Sequence, residues 1–157
     1  RIANAVGAIE TYGAPVIVVD FGTATNIDVI DKDAAYCGGT ITPGVGVSSD
    51  ALFKRAAKLS STPIKKPEKF VGDTTSSALQ SGIVYGAAAQ CEGLVARIKD
   101  ELSIQDAPVI ATGGYASLIA TATDLFDVVD KNLTLKGLAI ISKSYDEKKN
   151  CLNEKQK

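Results

Sequence analysis

An α/β fold, with a mixed β-sheet covered by helices on both faces, is predicted by three features of the sequence. Val16, Ile17, Val18 and Val19 form an unbroken β-branched run, the pattern of a strand buried on both sides. Two segments with short connections follow, Asn26 to Asp31 and Ala34 to Thr42, as in an antiparallel meander. Beyond Asp73, helical stripes alternate with strand runs, which implies α/β units feeding the same sheet.

The elements follow in order. Ile2, Ala5, Val6 and Ile9 recur at helical spacing, and Gly13 and Pro15 stop that helix. After the Val16–Val19 strand comes a turn, Asp20 to Thr25. The strand NIDVID is joined to AAYCGGTIT by a turn at Asp31, Lys32 and Asp33. Pro43 and Gly44 break the chain, and Ser48, Ser49 and Asp50 offer caps for a helix through Leu52, Phe53 and Ala56. Lys58 to Phe70, with its prolines, serines and lysines, reads as a solvated surface loop. Asp73, Thr74 and Thr75 precede a long helix whose apolar stripe is Ile83, Ala87, Cys91, Leu94, Ile98 and Leu102. Gly82, Gly86 and Gly93 are costly there, and mark either a close approach or a break. Val109–Thr112 is a second buried strand, a short helix starts at Ala116, and Phe126–Val129 is the last strand. Leu135, Leu138, Ile141 and Tyr145 give a closing helix, and the charged segment 146–157 is expected to be disordered.

Composition narrows the function. A chain of 157 residues with 45% hydrophobic and 22% charged residues suits one globular, soluble domain. A net charge of -1 and a pI of about 5.5 point to neither a nucleic-acid nor a membrane partner. Three separated cysteines, Cys37, Cys91 and Cys151, suit a reducing compartment, and cytoplasmic is the expected location. With no histidine, a catalytic base must be Asp, Glu, Lys, Tyr or Cys. The chain has no methionine and opens at Arg1 inside a helix, so it reads as a fragment or a processed chain.

The turn after the first strand carries the strongest chemical signal. Asp20 stands at the strand end, where a carboxylate can hold a metal ion. Gly22 lets the backbone pass close to a ligand, and Thr23 and Thr25 can donate to phosphate oxygens. Asp28 and Asp31 alternate with Ile27 and Ile30 and read as the solvent side of a strand. Asp127 and Asp130 read as caps, Tyr115 as a core or interface aromatic, and Cys37 and Cys91 as small buried hydrophobes.

Three antiparallel strands followed by alternating units match one lobe of the actin-like ATPase (ribonuclease H-like) fold, in which two lobes flank a nucleotide cleft. Four blocks then come in order: DFGTAT at Asp20–Thr25, GGTITPG at Gly38–Gly44, LQSGIVYG at Leu79–Gly86 and ATGGYA at Ala111–Ala116. Their wording and spacing closely resemble the type III pantothenate kinases, a bacterial family, over residues 1–145. On that resemblance residues 1–145 are a C-terminal lobe, and the N-terminal lobe with its phosphate-binding loop lies outside this chain.

The resemblance implies ATP-dependent phosphorylation of pantothenate, the first step of coenzyme A synthesis. It makes Asp20 the ligand of a monovalent cation, K+ or NH4+. It places Thr23, Gly22, Gly113 and Gly114 at ATP, which enters with Mg2+, and Arg1 and Thr75 at pantothenate. The stretch Gly72-Asp73-Thr74-Thr75 keeps two of the four residues of the family's Gly-Lys-Asn-Thr. Gly39, Ile41, Pro43 and Gly44 are expected to shape the substrate pocket. The catalytic base is an aspartate expected immediately before Arg1, so no catalytic residue lies in this chain and the fragment alone is expected to be inactive. A homodimer is implied as well. Two alternatives stand beside this: a catalytically silent regulatory protein, since relatives carry the label Bvg accessory factor, and a sugar kinase of the same fold.

Overall fold

The computed structural model describes residues 1–56, 59 and 61–154. α1 (Ile2–Tyr12) leads into β1 (Val16–Phe21), β2 (Ala24–Ile30) and β3 (Tyr36–Pro43). α2 (Val45–Arg55) and α3 (Thr75–Leu102) precede β4 (Val109–Gly113). α4 (Ala116–Ile119), a 3-10 turn over Ala120–Ala122, β5 (Val128–Val129) and α5 (Leu133–Glu154) complete the order. The strands form one sheet, ordered β3-β2-β1-β4-β5. β1 is antiparallel to β2 and parallel to β4, so the predicted mixed sheet is present with β1 at its centre.

Strand alternation divides the core between the two faces. Ile17, Val19 and Phe21 of β1 join Ile27, Val29, Val109 and Ala111 against Val84, Ala88, Cys91 and Val95 of α3. Phe126 meets Phe21 edge to face at 5.8 Å. On the other face Val16, Val18, Ile30 and Ile110 pack against Ala5 and Ala8 of α1 and Leu133 of α5. Each fully buried aliphatic side chain of this kind contributes about 1.5–3 kcal/mol, which is why the central VIVV run dominates the fold.

α1 and α5 touch through backbone. A Cβ on Gly137 would lie 1.7 Å from the Ala3 carbonyl oxygen, and one on Gly7 would lie 2.8 Å from the Leu133 carbonyl oxygen. This contact changes the predicted helix faces. The buried side of α1 is Asn4, Ala5, Gly7 and Ala8, while Ile2 is 58% exposed. The predicted apolar stripe of α5 faces outward, since Leu135, Leu138, Ile141 and Tyr145 are all exposed. α5 also continues through the charged segment as far as Glu154, where disorder was expected. After Gly137 no glycine or proline interrupts it, and Lys and Glu are good helix formers. Residues 155–157 lie outside the described residues.

Other elements differ in detail. α2 starts at Val45 with Gly44 as its N-cap, before the predicted Ser48–Asp50 caps. Ser49 is buried and donates back to the Val45 carbonyl at 2.8 Å. α3 opens on Thr74, which forms a reciprocal capping box with Ser77. Its buried centre is Val84, Ala88, Cys91 and Val95, with Ile83, Ala87, Leu94 and Ile98 as half-buried flanks. Gly82 and Gly86 neither break α3 nor approach a neighbour in this chain: a Cβ at either would meet nothing within 4 Å. β5 is shorter than predicted, covering Val128 and Val129. The described part of the Lys58–Phe70 loop has no regular structure, and Lys58 lies outside the described residues.

Candidate functional site

β1 delivers Asp20 to the end of the central strand, beside Asn26 of β2 and Thr112 of β4. Strand alternation turns it to the α1 face, and Asn4 Nδ2 donates to Asp20 Oδ2 at 2.8 Å. Asn4 is 1% exposed, and its own carbonyl oxygen accepts from Thr134 Oγ1 of α5 at 2.6 Å. A three-residue chain of hydrogen bonds therefore fixes the Asp20 carboxylate from two helices. Nothing in the helical periodicity of α1 singles out Asn4, which the sequence reading passed over.

The opposite side of Asp20 faces Gly113. This residue has φ +92, and a Cβ there would lie 2.6 Å from both Asp20 Oδ1 and the Phe21 carbonyl oxygen. Asp20 Oδ1 and the Phe21 carbonyl oxygen therefore pack directly against the Gly113 backbone, and both are hard oxygen atoms of the kind that a cation takes as ligands. Among the described residues no three His, Cys, Asp or Glu side chains converge as a metal cluster. Gly22 and Thr23 are exposed on the turn that follows, and the Gly44 amide donates to the Thr23 carbonyl at 3.0 Å. Gly114, next to Gly113, is exposed and has nothing within 4 Å of its Cβ position. Asp20, Gly22, Thr23, Gly113 and Gly114 are therefore brought to one edge of the sheet. Thr25, expected on that turn, is instead buried in β2 opposite Phe21, and Thr112 is 1% exposed.

A second cluster lies one step away on the same face. Asp28 is paired with Val18, two positions from the Asp20–Asn26 pair, so Asp20 and Asp28 are diagonal neighbours roughly 7 Å apart. Asp28 is 0% exposed, which corrects its placement on a solvent face. Its Oδ1 accepts from Arg1 Nε at 2.7 Å and from the Tyr36 hydroxyl at 2.8 Å. The guanidinium also lies over the Tyr36 ring, 5.7 Å from its centre. The Asp28 bond holds Arg1 above its ordinary pKa, and burial followed by the same carboxylate raises Tyr36. The physical reason for the error is long range: the start of α1 covers β2, and the partners are 27 residues apart. Asp31 lies beyond the end of β2, half-buried and not on the solvent side of a strand, and accepts from the Asp33 and Ala35 amides as the expected turn residue.

Thr75 is not part of this cluster. It is exposed at the first turn of α3, the helix on the opposite sheet face from Arg1, Asn4 and Asp20. Beside α3 runs a cleft of about 350 Å³, lined by Phe21, Pro43, Leu52, Leu79, Ile83 and Gln90 among others. Of the residues expected to shape a pocket, Pro43 lines this cleft, whereas Gly39 lines a separate hollow of about 270 Å³ near the end of α3. Tyr115 packs against the core, as read from sequence. Asp130 stands ahead of α5 and accepts from the Asn132 amide, and Asp127 instead accepts from the Val109 amide at the foot of β4. Among the described residues no helix is long and apolar enough to cross a membrane.

Comparison with known proteins now bears on this arrangement. A family profile described as type III pantothenate kinase matches residues 1–97. A type III pantothenate kinase from Brevibacillus brevis is 57% identical over 141 residues, which is 90% of this chain and 55% of the relative. The chain thus spans about half the length of that curated relative. Among solved structures, a Campylobacter jejuni protein described as a Baf family transcriptional activator is 26% identical with a TM-score of 0.60, covering 92% of this chain and 65% of that one. The activator of 2-hydroxyisocaproyl-CoA dehydratase from Clostridium difficile, solved with bound ADPNP, has a TM-score of 0.59 at 16% identity. It covers 98% of this chain and 68% of its own, and it shows the fold alone, that of the actin-like ATPases. The profile match, which includes Asp20, and the Brevibacillus relative show that this chain belongs to the type III pantothenate kinase family.

Proposed function

We propose that the whole protein transfers the γ-phosphoryl group of ATP to the primary hydroxyl of pantothenate, the first step of coenzyme A synthesis. The observation that carries this is the Asp20 carboxylate at the strand end, clamped on Oδ2 by Asn4 and packed at Oδ1 against the Gly113 backbone, in a chain of this family. Phosphoryl transfer depends on positioning and charge neutralisation more than on covalent chemistry, and a rigid strand end suits that demand.

Each residue then has a role. Asp20 Oδ1, with the Phe21 carbonyl beside it, holds a potassium or ammonium ion, which supplies positive charge near the phosphates. Thr23 donates to phosphate oxygen, and Gly22, Gly113 and Gly114 let ATP approach the backbone. Mg2+ enters with ATP and offsets its phosphate charge. Arg1 holds pantothenate, and Thr75 contacts the same substrate. The proton acceptor is the aspartate that the family places immediately before the residue matching Arg1.

A homodimer belongs to the same proposal. Arg1 and Thr75 lie on opposite faces of one sheet, so a second copy offers the simplest way for both to meet one pantothenate. The location is cytoplasmic. A regulatory role has one support, the likeness to the Campylobacter protein described as a transcriptional activator. The net charge of -1 does not favour direct contact with DNA.

The test is an acceptor assay on the full-length protein with Mg-ATP. Phosphate transfer to pantothenate and not to hexoses supports the proposal. A folded, ATP-binding protein that phosphorylates neither leaves the regulatory role, and transfer to a hexose would make it a sugar kinase.

A further inference from the structure

The Arg1, Asp28 and Tyr36 cluster is more elaborate than a salt bridge needs to be. Asp28 is completely buried, and its charge is met at a single oxygen: Oδ1 takes both Arg1 Nε and the Tyr36 hydroxyl, while Oδ2 is buried with no hydrogen-bond partner. A buried carboxylate with an unmatched oxygen is costly, so it is not explained by stability alone. The bond to Arg1 is made through Nε, the inner nitrogen of the guanidinium. That geometry spends no terminal nitrogen on Asp28, so the outer pair can take a carboxylate end-on, and the Arg1 side chain is 36% exposed. The Tyr36 ring lies against the guanidinium and restricts its rotation.

We infer that Asp28 and Tyr36 are positioning residues for Arg1, holding its guanidinium so that the terminal nitrogens receive the carboxylate of the acceptor substrate. This rests on the proposed role of Arg1 at pantothenate and deepens it. The placement is consistent: Asp28 pairs with Val18, roughly 7 Å back from Asp20, so the clamp is set apart from the strand end where the phosphates are proposed to lie. The carboxylate is at the far end of pantothenate from its reacting hydroxyl, so the clamp sets the pose of the substrate and takes no part in bond making. Asp28 acts only through Arg1 and needs no contact with substrate.

The test uses the full-length protein, with steady-state kinetics for pantothenate and for its analogue in which the carboxylate is replaced by an alcohol. Asp28→Asn is expected to raise the KM for pantothenate about tenfold, with kcat and the KM for ATP changed less than about twofold. Tyr36→Phe, which removes one hydroxyl, is expected to shift the same constant in the same direction by about threefold. With the alcohol analogue, wild type and both variants should be indistinguishable, an outcome that a merely structural role would not produce.

Equal losses with both substrates, an unchanged KM for pantothenate, or a rise in the KM for ATP instead would each overturn the inference. Arg1→Lys is run alongside. If it raises the pantothenate KM while folded Asp28→Asn does not, the positioning role fails and the role of Arg1 stands. If neither changes it, the assignment of Arg1 fails and the positioning role goes with it. Should Asp28→Asn not fold, Tyr36→Phe decides alone by the same comparison of the two substrates.

Discussion

Asn4 Nδ2 lies 2.8 Å from Asp20 Oδ2, and this one bond determines which Asp20 oxygen remains free at the strand end. Because Asn4 is also tied to Thr134 at 2.6 Å, the orientation of the carboxylate is set by the packing of α1 on α5. Asn4→Ala would remove the hydrogen-bond partner of the half-buried Asp20 carboxylate and of the exposed Thr134 hydroxyl, at a cost of about 1 kcal/mol. If the full-length protein has the proposed kinase activity, the same change is expected to raise the half-saturating potassium concentration several-fold. Urea unfolding and a potassium titration check the two effects. Wild-type values in both would show that Asn4 does not hold Asp20.

The crossing of α1 and α5 leaves no room at Gly137, where a Cβ would stand 1.7 Å from the Ala3 carbonyl oxygen. Gly137→Ala must push the helices apart, and the expected cost is about 2–4 kcal/mol. Chemical denaturation reads this directly. Since Thr134 and Asn4 lie on the same two helices, the variant should also weaken potassium activation. Unchanged stability would mean that the helices do not touch through backbone here.

Tyr12, Asp130 and Lys136 form a polar staple between the end of α1 and the start of α5. Asp130 Oδ2 accepts from the Tyr12 hydroxyl at 2.9 Å and from Lys136 Nζ at 2.7 Å. Burial pushes Asp130 upward, but the bonds from Lys136, Tyr12 and the Asn132 amide outweigh it and hold it below its ordinary value. Its stabilising effect is therefore present above that ordinary value and is lost as pH falls through the lowered one. Burial and the Asp130 bond raise Tyr12 from 10.0 to about 12, so its effect is complete below pH 10 and is lost as pH rises through about 12. The stability difference between wild type and Tyr12→Phe should be flat from the ordinary carboxylate range up to pH 10, shrink as pH falls through the lowered Asp130 value, and vanish at the alkaline end. A difference that stays constant through that range would refute the staple.

Cys91 sits at the centre of the α3 interface, where burial first and Glu92 second push its thiol up to about 12. It should resist thiol reagents until the protein unfolds. Cys37 is exposed and donates to Asp31 Oδ2 at 3.4 Å, with burial and Asp31 raising its pKa. It should be labelled in the folded state, though more slowly than a free thiol. Peptide mapping after timed alkylation distinguishes the sites, and early modification of Cys91 would contradict its placement.

The central strand and its turn were legible because their signals are local. A β-branched run ending in Asp20-Phe21-Gly22-Thr23 carries both its burial and its chemistry within a few residues. What escaped depends on distant contacts. Asp28 alternates with Ile27 and Val29 as a solvent-facing residue would, and only the arrival of Arg1 and Tyr36 makes it a buried acceptor. Asn4 interrupts the apolar pattern of α1, so periodicity discards it. The outward stripe of α5 misled for a related reason: the contact is made by Gly7, Leu133 and Gly137, and a backbone contact leaves no hydrophobic signature. The glycines of α3 were ambiguous in sequence: in this chain the face at Gly82 and Gly86 is open, while Gly93 lies under the Arg97 side chain.

The most direct measurement is a potassium titration of pantothenate phosphorylation by the full-length protein, wild type and Asp20→Asn. The expected result is saturable activation of the wild type, about 100-fold or more over potassium-free buffer, and none in a folded Asp20→Asn variant. Wild-type turnover that ignores potassium and ammonium, or an Asp20→Asn variant activated as strongly as the wild type, would contradict the assignment of this strand end as the cation site of a kinase.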